Sequence, residues 1–326
     1  MDKSEWLLQE IREISHGFGE RRPRIDSITE IRSVLVRQMT LLIYKTKQEA
    51  GKHGDKQILI KHIVSVIKNC KFTLIRVLSY YLLKDNIYRL STNGIKDTDD
   101  TLKEDNSIKQ VTKEDFSSFE DLINPDFDKT LDLNINNIDS LSLLSYDFTT
   151  PPKYTAAQLK KSIFKQFICA IAELKLEFKI TKEDIKNATE KRQIRVNDLS
   201  LALGAERYEG FQVCRKKHFR NDKGDLLLRH VHKYLPPKIN YDKQVKEVFL
   251  FLAKETIAAI IDHVYENRSQ HVTNDESKQL EDEDIPKLKK KKIENKFESI
   301  LVEEIKNVTN TYWKDNEFFE NQLVFL

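Results

Sequence analysis

Cys214 and His218 stand four residues apart, a spacing that puts both side chains on one side of a helix, where they could share a metal ion. A structural zinc site needs four ligands, and neither Cys70 nor Cys169 lies near this pair in sequence. His230 and His232 are two apart and point to different helix faces, which suits solvent or a core hydrogen bond better than ligation. The chain has no phosphate-cradling glycine loop, no G-x-S-x-G elbow and no H-E-x-x-H helix. No catalytic residue, metal, cofactor or small molecule is therefore expected, and the chain is expected not to be an enzyme. What remains is ionic. Pro286-Lys287-Leu288-Lys289-Lys290-Lys291-Lys292 reads as a nuclear localisation signal. Arg21, Arg22, Arg24, Arg215, Lys216 and Lys217 fall near expected loops, where they could touch phosphates or serve solubility and protein contacts. Glu255 sits within an otherwise apolar helical stripe beside Leu252 and Ile261, where an exposed charge is expected.

The elements that must position these residues are helical. Gly and Pro number only 8 and 7 in 326 residues, and Lys, Glu, Leu and Ile abound, which argues for α structure over a sandwich or barrel. With 33% charged and 39% apolar residues, the composition is ordinary for a helical protein holding one disordered segment. No run of about 18 apolar residues exists, and the charged N-terminus lacks a signal-type apolar region, so no membrane partner and no secretion are expected. Three widely spaced cysteines suit a reducing compartment, as small buried or half-buried residues. The net charge of +3 hides an asymmetry: residues 97–147 hold 14 acidic residues against four lysines, a local −10, so the remainder carries +13. The folded parts are expected to be basic.

The apolar pattern runs short, long, short at both ends of the chain. Leu7, Ile11 and Ile14 form a stripe that stops at Gly17-Phe18-Gly19. A longer one follows through Ile28, Ile31, Leu35, Met39 and Leu42, with an expected capping box at Ser27 and Glu30. Gly51 and Gly54 end it, and Ile60, Ile63, Val64 and Ile67 make a short third stripe. Near the other end, Leu226–Leu235 precedes a long stripe from the expected N-cap Asp242, through Val245, Phe249, Leu252 and Ile260, to about Arg268. The last stripe is Phe297, Leu301, Ile305, Val308 and Tyr312. A long helix crossed by two short ones is the arrangement of the histone fold, whose apolar face needs a partner. Two in one chain can cover each other, with Leu35, Met39, Leu42, Phe249, Leu252 and Ile260 as the expected pairing core. The expected divisions are histone fold 1 at 1–90, an acidic and largely disordered linker at 91–153, a helical connector at 154–200, and histone fold 2 at 201–326. The last is expected to carry a mobile charged insertion at 267–296.

Several stretches then support a resemblance. Ile11-Arg-Glu-Ile-Ser-His16-Gly-Phe-Gly-Glu-Arg-Arg-Pro23 and Leu74-Ile-Arg-Val-Leu78-Ser-Tyr80, followed by Lys84-Asp85, cover roughly residues 5–90. Tyr208-Glu-Gly-Phe211, Cys214-Arg-Lys-Lys-His-Phe219, Phe251-Leu-Ala-Lys-Glu255-Thr-Ile-Ala258 and Arg192-Gln-Ile-Arg195-Val196 follow in the C-terminal half. With these the chain resembles the family of suppressor of Ty, member three, the TATA-binding-protein-regulating subunit of the SAGA coactivator. Its N-half is similar to the thirteenth TBP-associated factor of TFIID and its C-half to the eleventh. The chain departs from the family where a Thr-Pro-Glu-Asp type start to the third helix is replaced by Leu59-Ile60-Lys61-His62, and where a tryptophan after the Phe219 region is missing. The resemblance implies a nuclear coactivator subunit that binds TATA-binding protein, with Glu255 in the contact, alongside other coactivator-complex subunits. DNA contact through basic loops is the alternative, secondary reading.

Overall fold

The computed structural model describes residues 5–94, 143–150, 152–219, 221–276 and 298–314, and among them the chain is all-α, with one isolated parallel β-bridge and no strand. The lysines at 287 and 289–292, and Phe297, lie outside the described residues, as do the apolar residues of 131–141. The chain divides into two compact units, residues 1–73 with 190–326 and residues 74–189.

In the first unit, α1 (Glu5–Gly17) buries Leu7, Ile11 and Ile14. Helix α2 (Ile25–Lys52) buries Ile28, Ile31, Val34, Leu35, Met39, Leu42 and Ile43, steps of three and four that gather on one face. Its start differs from expectation. Arg24 is the N-cap and makes no side-chain cap. Ser27 instead is the third residue of the helix, past the cap position, and its hydroxyl donates to the Ile300 carbonyl at 2.5 Å. The helix ends at Lys52, and Gly54, at φ +71°, supplies the left-handed turn. Helix α3 (Ile60–Ile67) follows, then α4 (Lys71–Gly94). Where an acidic residue was missing from the start of α3, His62 serves: its Nδ1 accepts from the Leu59 N–H at 3.0 Å, so its Nε2 carries the proton and donates to Asp55 at 3.0 Å. Burial outweighs Asp55 and lowers the pKa of His62, which keeps this neutral tautomer in place.

The C-terminal part of this unit repeats the order with α9 (Asn221–His232), α10 (Lys243–Glu276) and α11 (Val302–Lys314). The Asp242 side chain accepts from the Val245 N–H at 2.8 Å and caps α10. That helix continues to Glu276, so the first ten residues of the expected 267–296 insertion are helical. Ile305 and Val308 of the expected last stripe are buried, whereas Leu301 is 43% exposed and Ile300 is buried in its stead, ahead of α11. Helix α2 packs on α3, α9, α10 and α11, and α10 packs on α1 and α11. Leu35, Met39, Leu42, Phe249, Leu252 and Ile260 are each fully buried.

The loops of the two three-helix motifs interlock in opposite order. After α2, the Ile58 N–H donates to the Asn240 carbonyl at 2.8 Å, and Ile58 bridges in parallel to Tyr241, which precedes α10. At the other joint, the loop before α2 meets the loop before α11: Ser299 Oγ donates to the Arg22 carbonyl at 2.8 Å and the Ile300 N–H to Glu20 Oε1 at 3.1 Å. Arg268 braces that loop, donating through Nε and Nη2 to the Glu304 carboxylate at 2.6 and 2.7 Å and to the carbonyls of Glu298 and Ser299.

The second unit holds α4 from Leu74 onward, a short turn at Leu143–Ser145, α5 (Ala156–Lys161), α6 (Ile163–Glu173) and the start of α7 (Lys182–Ala202). Tyr81 stacks on Phe167, Tyr146 meets Phe164 edge-on, and Phe148 does the same with Phe178. The span expected as a single connector, 154–200, is thus divided, because its aromatic faces close on α4 and the 143–150 segment, whereas α7 beyond Thr189 belongs to the first unit.

Glu20 is fully buried and its Oε2 has no hydrogen-bond partner among the described residues. Burial, countered only in part by the Ile300 N–H and Arg268, pushes its carboxyl up from 4.5 to about 7. A carboxyl raised on folding holds its proton in the folded chain where the unfolded chain has released it, so stability falls as pH rises from about 4.5 to about 7, by up to ~3 kcal/mol. Glu20→Gln keeps an acceptor for Ile300. Thermal melts should show the variant matching the wild type near pH 5 and exceeding it at pH 8; parallel pH profiles would contradict this origin of the slope.

Candidate partner-binding site: an arginine clamp on the second long helix

Glu255 and Asp262 are seven residues apart on α10, two turns, and so share a face. Arg192 and Arg195, three apart on α7, share a face likewise, and the structure brings the two pairs together. Arg192 Nη1 donates to both carboxylate oxygens of Glu255, at 3.0 and 2.9 Å, and its Nε to Asp262 Oδ2 at 2.6 Å. Arg195 Nη2 donates to Asp262 Oδ1 at 2.6 Å, so one carboxylate bridges two guanidinium groups. Glu255 is 6% exposed. The sequence expectation of an exposed charge is corrected here: the acid lies beneath α7, and its partner comes from an element some 60 residues earlier, which periodicity within α10 cannot reveal.

Charge here is held firmly. Burial would weaken the Arg192 cation, but Asp262 and Glu255 outweigh it and raise its pKa. Burial likewise would raise the Asp262 carboxyl, yet Arg192 and Arg195 hold it below its ordinary value. Buried pairs of this kind add little net stability, but they fix one arrangement because any other leaves a charge unpaired.

Gly17-Phe18-Gly19 completes the site. Arg195 Nε donates to the Phe18 carbonyl at 2.7 Å, and the Arg192 guanidinium lies 5.4 Å from the centre of the Phe18 ring. Tyr265 Oη donates to the Gly19 carbonyl at 3.2 Å. Gly19 has φ +102°, and a Cβ there would meet Arg195 Cγ at 2.8 Å. A Cβ on Gly17 would come 2.5 Å from the Cys214 carbonyl oxygen of α8 (Ala205–Arg215), so both glycines are required by close approach. The loop glycines were legible as a helix stop. Their role as seats for Arg195 and α8 was not.

The other candidates separate. Cys214 is half-buried and near α1, its thiol pushed up by burial, whereas His218 Nδ1 lies 3.1 Å from Lys254 Nζ. Among the described residues no group of three or more His, Cys, Asp or Glu is placed to hold a metal ion. His232 Nε2 lies 2.7 Å from Tyr241 Oη, within a joint. Lys217 pairs with Glu13 at 2.7 Å, tying the chain after α8 to α1.

Reversing Glu255 to Lys places three cations around Asp262 and leaves Arg192 half paired. Breaking a buried pair costs ~3–5 kcal/mol, so Glu255→Lys is expected to lower the melting midpoint strongly, and Arg192→Met with Glu255→Met to recover part of the loss. A Glu255→Lys chain that melts like the wild type would show the clamp to be open in solution. Compared with known proteins, the chain matches no family model, no curated protein and no solved structure.

Proposed function

We propose that this chain is a non-enzymatic, nuclear transcription coactivator subunit, in which two histone folds pair within one polypeptide and present a surface to TATA-binding protein and to other subunits of a SAGA-like complex. The observation that carries the reading is the reciprocal joint: Ile58 bridged to Tyr241 at one end, and Ile300 and Ser299 bonded to Glu20 and Arg22 at the other. Two short–long–short helix motifs joined head to tail in this manner are what a histone-fold pair requires, and burial of their facing stripes supports it. The choice of TATA-binding protein comes from the resemblance carried by the stretches 11–23, 192–196 and 251–258. Within it Glu255 acts as a positioning residue, anchoring α7 through Arg192, and the outer face of α7 and the exposed residues near it make the contact.

The direct test is titration of purified TATA-binding protein into the full chain by calorimetry. Saturable binding of one partner per chain is the expected result, weakened by Glu255→Gln in proportion to loosening of α7; absence of binding by a folded wild-type chain would remove direct contact from the proposal. Nuclear residence depends on Lys287 and Lys289 to Lys292. Replacing the four consecutive lysines from Lys289 with alanine should move a fluorescent fusion toward the cytoplasm. An unchanged distribution would assign import to a partner.

A further inference from the structure

A second surface of the first unit has a chemistry that the pairing and the clamp leave unused. Arg207, Gly210, Phe211 and Cys214 recur at three- and four-residue steps and so form one face of α8. Opposite lie His16 at the end of α1 and Arg21 and Arg22 in the loop before α2, with a cleft of about 440 Å³ between. Its floor is apolar: Phe211 is fully buried, stands edge-on to the His16 ring at 5.2 Å, and closes a small core with Val196 and Leu199, against which Leu203 packs half-buried. Its rim is cationic. None of the cleft residues is acidic, and Arg21, Arg22 and Arg207 make no side-chain ion pair among the described residues. Arg21 Nε is shielded from water and lacks a hydrogen-bond partner. A Cβ added to Gly210 would meet nothing within 4 Å, so α8 leaves open space in the cleft wall.

We propose that this cleft docks an acidic peptide of another protein, one that carries a single large apolar side chain between its carboxylates. The apolar side chain fills the space over Gly210 and covers the half-buried Leu203, where removal from water supplies the affinity, while the already buried Phe211 backs the seat. The carboxylates meet Arg21, Arg22 and Arg207, whose planar forks donate to a carboxylate in two-point geometry; Arg22 and Arg207 are exposed, so the attraction is screened by salt. Complementary charge and an apolar seat thus come from the same few residues. A nucleic-acid backbone fits less well, because duplex binding draws on a row of cations along the phosphates, whereas here three arginines ring an apolar floor.

Fluorescence anisotropy of the full chain with a dye-labelled hexapeptide, Asp-Glu-Phe-Asp-Glu-Leu, tests the proposal. Expected are saturable binding weakened by salt, a loss of about threefold on Arg207→Ala, as for one rim charge, and of about tenfold on Gly210→Leu, whose side chain occupies the apolar seat. A control peptide with Ser for Phe should bind at least about fivefold more weakly, since it lacks the anchor. The proposal is overturned if the Ser peptide binds equally well, if a folded Gly210→Leu chain binds like the wild type, or if a short DNA duplex displaces the peptide and is itself weakened by Arg207→Ala. Should circular dichroism show Gly210→Leu to be unfolded, the Arg207→Ala chain and the paired peptides decide.

Discussion

The first unit depends on mutual covering of two long apolar stripes. Neither α2 nor α10 covers its stripe with the helices of its own motif alone: α2 packs on α9, α10 and α11 as well as on α1 and α3, and α10 on α1 as well as on α11. Each fully buried Leu, Ile or Phe contributes roughly 1.5–3 kcal/mol relative to exposure, and both spines are lined with such residues. Packing α2 on α10 therefore replaces two unfavourable surfaces with one core. Carrying both on a single chain makes that association intramolecular, so it does not depend on protein concentration.

Polar groups at the two ends of this core decide its register. At one end the backbone of Ile58 meets that of Asn240 and Tyr241, and the neighbouring Asp55 is held by Lys61 and His62. At the other, Arg268 and Glu304 secure the loop that Glu20 and Ser27 then receive. The two joints are chemically unequal. One uses a neutral histidine, the other a bidentate arginine pair beside a carboxyl that burial inclines toward protonation. Apolar packing alone would tolerate a slip of one turn along the helices; these directional contacts do not.

Helix α7 adds a layer over α10 and changes what the second spine can offer a partner. From Leu252 to Ile261 nearly every residue of α10 is buried, including Glu255, whose carboxylate is held beneath α7 by Arg192. In the proposed coactivator role, the Arg192–Glu255 pair then sets where α7 lies and does not itself form the surface. The arginine-rimmed cleft on α8 stands on the same support, since Phe211 packs against Val196 and Leu199 of α7.

Periodicity and punctuation placed the two long helices α2 and α10, though not the division of 154–200 into α5, α6 and α7, nor α8. The stripes from Ile28 to Ile43 and from Val245 to Val264 declare themselves because apolar residues recur every three or four positions and a helix turns in 3.6, and Gly54 and Asp242 mark ends through local backbone and side-chain chemistry. What pairs with what was decided only by the tertiary structure. Ser27 looks like a cap by its neighbours, but its hydroxyl answers to Ile300, far away in the chain. Glu255 looks exposed in its own helix, but Arg192 lies over it. Gly19 looks like a simple helix stop, but its missing side chain makes room for Arg195. Local patterns fix local geometry because their causes act over a few residues; a hydrogen bond, an ion pair or a close approach between distant segments depends on where folding brings them, and no spacing within either segment records that.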